Sequence, residues 1–285
     1  IKIVILPDRY GLLVKIHHII SDAWTVALLA TQFNLILKGE EVTAYSYLDY
    51  CDSEKNYLES KRYLRDKEFF LGQLKQCEEP AFISKKKERT FDAARKVIII
   101  NTQQAKKIRD FAEKNEVSVF SIWATVLAVY MGRLKTDSEK FFIGTTVLNR
   151  YTEKDFNTAG MFINTVPVLL AANFKKTFIE SLEKTEDTLM SVFRHQKYNY
   201  EDMLTDIRKD NYNCDKLYDI VLSYMNATIG GADEGVSSTW HHNGRQNESL
   251  QINFDDRDNE GIFKVQYDYQ TEKFTQKDID NLHSQ

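Results

Sequence analysis

The chain has 285 residues, 42% hydrophobic and 12% aromatic, enough apolar side chain for one or two cores at roughly 100–200 residues per domain, which argues against disorder. Lys and Arg number 38 against 42 Asp and Glu, a formal net charge of −4, so no general basic field exists to recruit nucleic acid. No apolar run approaches the ~20 residues of a membrane helix, and the opening Ile1-Lys2-Ile3-Val4-Ile5-Leu6, cut short by Pro7, lacks a signal peptide's length and cleavage pattern; a cytoplasmic protein with no membrane contact is expected.

In chain order, residues 3–6 and 11–19 read as strands joined by the turn Pro7-Asp8-Arg9-Tyr10-Gly11. In the second strand Leu12, Val14, Ile16 and His18 share one face, while His17 points with Lys15. Ser21 or Asp22 caps a helix over 22–38, with Val26, Leu29, Phe33 and Ile36 at helical spacing and Gly39 at its end. From Tyr45 to about Lys75 the pattern is helical, with Tyr57, Tyr63, Leu64, Phe70, Leu71 and Leu74 as core positions. Gln76 to Arg95, with Pro80 and Lys85-Lys86-Lys87, loses periodicity and reads as a linker, dividing the chain into 1–90 and 91–285.

The second part opens with a strand at 96–101 and a helix over 103–115. Ser118 then caps a helix from Val119 to Met131 that is apolar nearly all round, as a buried central helix must be. Strands follow at 141–148 and 162–170, where Pro167 marks an edge or a bulge, then a helix over 174–195 and a strand at 217–224. A loop rich in Gly, Ser, Thr and Asn spans 227–244 before strands resume at 249–254 and 262–269. The order predicts an α/β sandwich, a sheet covered by helices on one side.

The chemistry concentrates at His17-His18-Ile19-Ile20-Ser21-Asp22-Ala23-Trp24, where two histidines end a strand and an acid begins a helix. A base beside free helix N–H groups suits acyl transfer, because the helix start favours a developing anion. Ligation of a metal by His17, His18 and Asp22 is set aside, since adjacent strand residues diverge and no third ligand follows at metal spacing. Cys51, Cys77 and Cys214 are odd in number with no CxxC pair, which indicates neither a disulfide framework nor structural zinc. His195-Gln196 reads as organising a helix end, and His241-His242 as solvent-exposed loop. Ser223 has no base at fixed local spacing and is a poor nucleophile.

The first motif resembles the HHxxxDG signature of the condensation domains of nonribosomal peptide synthetases, within the chloramphenicol acetyltransferase-like superfamily. Further family-like segments follow in the family's order: Tyr47-Leu48-Asp49-Tyr50, Ile143-Gly144-Thr145-Thr146-Val147 with Asn149-Arg150, Gly160-Met161-Phe162-Ile163-Asn164-Thr165-Val166, Arg194-His195-Gln196 and Leu222-Ser223-Tyr224-Met225-Asn226. Ala23 stands where the motif usually ends in glycine. In the family a substantial part of the first lobe precedes the histidines, whereas this chain reaches them at residue 17, so an N-terminally truncated first lobe with uncovered apolar surface is expected.

The resemblance implies two chloramphenicol acetyltransferase-like lobes, the first incomplete, with a tunnel between them. It implies peptide-bond formation between donor and acceptor peptidyl carrier proteins, whose phosphopantetheine arms carry the thioesters, beside an adenylation domain and with no cofactor bound by the domain itself. His18 is then the catalytic histidine and His17 a structural neighbour. Asp22 holds the turn through a bidentate pair with Arg150, the Ala23 N–H is an oxyanion donor, and Asn164, Thr165 and Ser223 line the tunnel. The alternatives are a non-catalytic or degenerate carrier-docking domain and an epimerisation-type relative; heterocyclisation relatives replace the histidines with aspartates, which this chain does not.

Overall fold

A computed structural model describes residues 1–8, 10–76, 91–134, 140–209, 215–225, 239–257 and 261–285. Pro80, the lysine run 85–87, Cys77, Cys214 and Asn226 lie outside the described residues, as do most of the linker and most of the 227–244 loop. The described chain forms two compact units. The first is built from Ile1–Asn56 with Leu148–Ile163, the second from the described parts of Tyr57–Val147, Asn164–Asn226 and Ser238–Gln285.

In the first unit, strands β1 (Lys2–Ile5) and β2 (Tyr10–Leu13) pair antiparallel, Lys2 opposite Leu13 and Ile5 opposite Tyr10. The predicted strand to residue 19 stops at Leu13, which pairs with Lys2, and residues 14–17 lie in neither helix nor strand. Apolar alternation without a partner ladder does not make a strand. The chain instead closes a 3-10 turn over His18–Ile20 and enters helix α1 (Ala23–Leu37), which Asp22 caps. The apolar stripe of α1 is exposed, with Val26 at 45% and Ile36 at 56%, while Thr25 and Ala27 face inward. Residues 45–75 are helical as expected, in two helices, α2 (Tyr47–Leu58) and α3 (Lys61–Leu74). Ser60 breaks the run by accepting the Tyr63 N–H at its own hydroxyl, which starts a new helix.

The second unit is a six-stranded mixed sheet. Strands β3 (Ala93–Ile100), β4 (Lys140–Val147), β5 (Asn164–Ala171), β6 (Ile220–Met225), β7 (Leu250–Asp255) and β8 (Phe263–Gln270) lie in the order β3-β8-β7-β6-β4-β5. The β6 pairings to β4 and β7 are parallel and the others antiparallel. Pro167 sits on β5, the edge strand, where its missing N–H costs least.

Alternation sends Leu222, Ile252, Phe254, Val265 and Tyr267 to one face, where they join the core with helix α5 (Val119–Leu134). Of the helices, α4 (Thr102–Lys114) packs on α5, a four-residue α6 (Glu153–Phe156) belongs to the first unit, and α7 (Phe178–Arg194) and α8 (Tyr200–Lys209) pack on β5. A last helix, α9 (Gln276–Ser284), adds Ile279 to the core. The other face carries paired charges: Arg95 reaches both oxygens of Asp268 at 2.6 and 2.7 Å, and Arg257 reaches Asp255 at 2.7 and 2.5 Å. A sheet with one apolar face under helices is the predicted α/β arrangement.

Candidate active site

The centre of the first unit is a carboxylate. Asp22 Oδ1 accepts the Thr25 N–H at 2.7 Å, the N-cap bond that a β-region aspartate makes at a helix start. Into the same carboxylate Arg150 directs one nitrogen, Nη2, at 3.2 Å from Oδ1 and 3.1 Å from Oδ2, and the Phe162 N–H donates to Oδ2 at 3.1 Å. Neither side chain of the pair has exposed surface.

The expected two-nitrogen fork does not form, because Nη1 is spent on backbone. It donates to the carbonyls of Asp155 and, at 2.7 Å, Thr158, while Nε is buried with no partner among the described residues. The guanidinium lies over the Phe162 ring, 3.8 Å from its centroid, a cation–π contact in a desolvated place. Burial pushes the Arg150 pKa below its ordinary value and the Asp22 charge pulls the other way. An arginine guanidinium stays charged in proteins, and Asp22 lies against it as the counter-charge.

Aromatic side chains close over this pair. Tyr47 donates its hydroxyl to the Met161 carbonyl at 2.5 Å, and its ring occupies the space of the side chain that Gly160 lacks: a Cβ there would come within 2.0 Å of Tyr47 Cδ2. Thr25 Oγ1 donates to the Gly160 carbonyl at 2.7 Å and accepts the Gly160 N–H at 2.9 Å. The Tyr50 ring sits 4.0 Å from Phe162, and its hydroxyl accepts from Asn149 Nδ2 at 3.2 Å. Burial, with the Glu54 charge adding, holds the Tyr50 hydroxyl protonated far above its usual range. Asn149 takes the left-handed backbone, φ 52°, that asparagine tolerates better than most residues. Trp24 donates from Nε1 to the Phe156 carbonyl at 2.9 Å. Residues 22–25, 47–50, 149–150 and 160–162, four separated stretches, thus meet around one ion pair.

His17 is exposed and caps the 3-10 turn, its Nδ1 accepting the Ile19 N–H at 3.1 Å. His18 is the first residue of that turn, exposed, and its imidazole makes no hydrogen bond to any described residue. The expectation of a strand-end histidine pointing with an apolar face is therefore corrected. Ala23 opens α1, and the described non-glycine residues with left-handed φ are Glu116 and Asn149, so its methyl incurs no backbone strain there. Its N–H is one of the helix's unpaired first donors.

The remaining predicted residues lie in the second unit. Asn164 Nδ2 donates to the carbonyls of Gln196 and Tyr198 at 2.9 and 3.0 Å. Thr165 lies on β5 opposite Thr146 of β4, and Ser223 Oγ lies 3.0 Å from Thr146 Oγ1. His195 caps α7 and places Nδ1 2.8 Å from Asp66 Oδ1. His241 is exposed, but His242 is largely covered, correcting the expectation of two solvent-exposed histidines, and its Nδ1 accepts the Gly244 N–H. Among the described residues no group of three His, Cys, Asp or Glu could hold a metal, and no single helix is long and apolar enough to cross a membrane.

Sequence reasoning assigned no role to Thr25, Tyr47, Tyr50, Asn149, Gly160 or Phe162. One signal was available: a threonine three residues after a capping aspartate, with aromatic and glycine residues inside each of the other segments.

A family model described as the condensation domain matches residues 3–285. The chain belongs to this family. Surfactin synthase subunit 1 of Bacillus subtilis is 27% identical over 285 residues, covering 94% of this chain and 8% of that protein. A dimodular nonribosomal peptide synthase of the same organism is 24% identical over 288 residues, covering 98% and 12%. The chain therefore spans about a tenth of the length of these curated relatives.

Among solved structures, the first condensation domain of the calcium-dependent antibiotic synthetase superposes with a TM-score of 0.78 at 18% identity, covering 94% of this chain and 61% of that one. VibH, a nonribosomal peptide synthetase condensation enzyme, gives 0.69 at 17%, covering 93% and 63%. These likenesses show the condensation-domain fold.

Proposed function

We propose that this condensation domain forms a peptide bond between two carrier-bound thioesters. The amine nitrogen of the acceptor aminoacyl thioester attacks the donor carbonyl carbon, a tetrahedral oxyanion forms, the C–S bond breaks and thiolate leaves on the donor carrier's phosphopantetheine arm. The proton lost from the attacking nitrogen passes to His18 or to water. An α-amino group of pKa ~8 is roughly a tenth neutral at pH 7, so supplying the free base costs only about 1.4 kcal/mol. Orientation can be worth up to ~7–11 kcal/mol in ideal cases. His18 acts first by orienting the amine and second as its base, and the Ala23 N–H faces the oxyanion.

In this reading Asn164, Thr165 and Ser223 belong to the substrate tunnel wall. Asn164 serves by holding backbone, since its amide nitrogen is committed to two carbonyls. Donor and acceptor carrier proteins and an adenylation domain are the partners, in the cytoplasm, and the domain itself binds no cofactor.

The observation that carries the reading is the buried Asp22–Arg150 pair at the end of the His18 turn, gathered from four family-like stretches. His18→Ala is expected to lower single-turnover transfer between loaded carriers by at least ~100-fold, the lower range for a positioned acid–base group. Because His18 is exposed and unbonded, the variant's melting temperature should match that of the parent. Transfer near the parent rate overturns the assignment.

A further inference from the structure

The His18 imidazole has no hydrogen bond to any described residue, so no side-chain partner holds its direction. What is fixed is the backbone that carries it. The 3-10 turn is closed by the Ile20 N–H on the His17 carbonyl at 3.1 Å and the Ser21 N–H on the His18 carbonyl at 3.4 Å, and it leads directly into buried Asp22. Asp22 is therefore the fixed end of the turn, and whatever holds Asp22 sets where the turn places the backbone of His18.

Asp22 takes hydrogen bonds from its own cap, from Arg150 and from the Phe162 N–H. That last donor comes from residues 160–162, a stretch in neither helix nor strand, which has no ladder to hold it. It is pinned by side chains instead. Tyr47 fills the empty side of Gly160 with its ring and bonds the next carbonyl, that of Met161, with its hydroxyl. Thr25 holds both the N–H and the carbonyl of Gly160. Phe162 stacks on the guanidinium of Arg150 while its own N–H bonds Asp22, so one residue touches both partners of the ion pair. The stacking also covers a guanidinium whose Nε has no acceptor among the described residues.

We infer that Tyr47 and Phe162 are positioning residues for His18: together they clamp residues 160–162, and the clamped segment holds Asp22 at the end of the histidine turn. The inference rests on the condensation reading for its kinetic consequence, and on geometry alone for the clamp.

The test uses Tyr47→Phe, which removes one hydroxyl, Phe162→Leu, which removes the ring face but keeps the N–H, Phe162→Tyr, which restores the ring, and Gly160→Ala, which expels the Tyr47 ring. In the intact protein with loaded donor and acceptor carriers, Tyr47→Phe, Phe162→Leu and Gly160→Ala are expected to lower kcat by about 10-fold with KM for the acceptor carrier within twofold. Phe162→Tyr should return kcat to within threefold of the parent. Independently of activity, hydrogen exchange at the Thr25 and Phe162 amides should quicken by about 10-fold in the first three variants while α5 amides keep their parent rates, separating a local clamp from general destabilisation. Unchanged exchange at Thr25 and Phe162 overturns the clamp. Quickened exchange with kcat within twofold overturns the positioning role, and a Phe162→Tyr variant as slow as Phe162→Leu overturns the stacking contribution. If His18→Ala proves as active as the parent, the condensation reading has failed, and the exchange data still decide the clamp.

Discussion

Arg150 spreads one guanidinium over a carboxylate, three backbone carbonyls and an aromatic face, all inside the first unit. Removing either partner of a fully buried pair leaves an uncompensated charge, a larger penalty than the pair's net worth. Asp22→Ala and Arg150→Ala are each expected to cost about 3–5 kcal/mol. The double variant should lose less than the sum, because the shared interaction can be lost only once. Urea titration of the four proteins gives the coupling, and strict additivity would show that the two side chains do not act as a pair. Arg150→Lys should not restore stability, since an ammonium can neither stack on Phe162 nor reach the Asp155 and Thr158 carbonyls while holding Asp22.

At the scale of elements, α9 carries a titrating contact. His283 Nδ1 lies 2.9 Å from the Tyr267 hydroxyl of β8, and burial, with Lys96 adding, pushes its pKa below the ordinary histidine value. The unfolded chain then takes up a proton near pH ~6.5 that the folded chain resists. Stability from neutral His283 is fully present above that pH and is lost as pH falls through the lower folded value. Melting temperature measured from pH 8 to 5 should fall on the acid side, and His283→Gln should flatten that fall; an identical slope in the variant would place the effect elsewhere. Element boundaries depended on similarly local chemistry. Ser60 divides α2 from α3 through one hydroxyl, and β2 ends where its partner does.

Across the whole molecule, apolar surface is distributed unevenly between the two units. The second unit buries Phe70, Met131, Phe141, Leu189 and Met203 completely or nearly so around its sheet. The first leaves Ile3 and Ile5 73% exposed and Leu37 69%, with Leu29, Phe33 and Ile36 along one side of α1. Contiguous apolar surface of this kind promotes association. Light scattering of this chain should show mass rising with concentration, and Phe33→Lys combined with Ile36→Lys should suppress the rise. A monomer at every concentration, before substitution, would show that these residues make no sticky patch.

The sequence by itself determined the α/β class and the buried character of α5, and it narrowed Pro167 to an edge or a bulge and the cap of α1 to Ser21 or Asp22, because each follows from local periodicity, a missing N–H or a single side-chain oxygen; the structure chose the edge and Asp22. It also determined family membership, through motifs spread along the chain. Only the tertiary structure decided that residues 14–19 are not a strand, since a ladder needs a partner that no local pattern reveals. It likewise decided that Arg150 meets Asp22 with one nitrogen, and that Tyr47 and Phe162 close around residues 160–162. The contacts of Arg150 and Phe162 with Asp22, and of Tyr47 with Gly160 and Met161, join residues more than a hundred positions apart, and their geometry follows from which backbone carbonyls and ring faces the fold brings within reach.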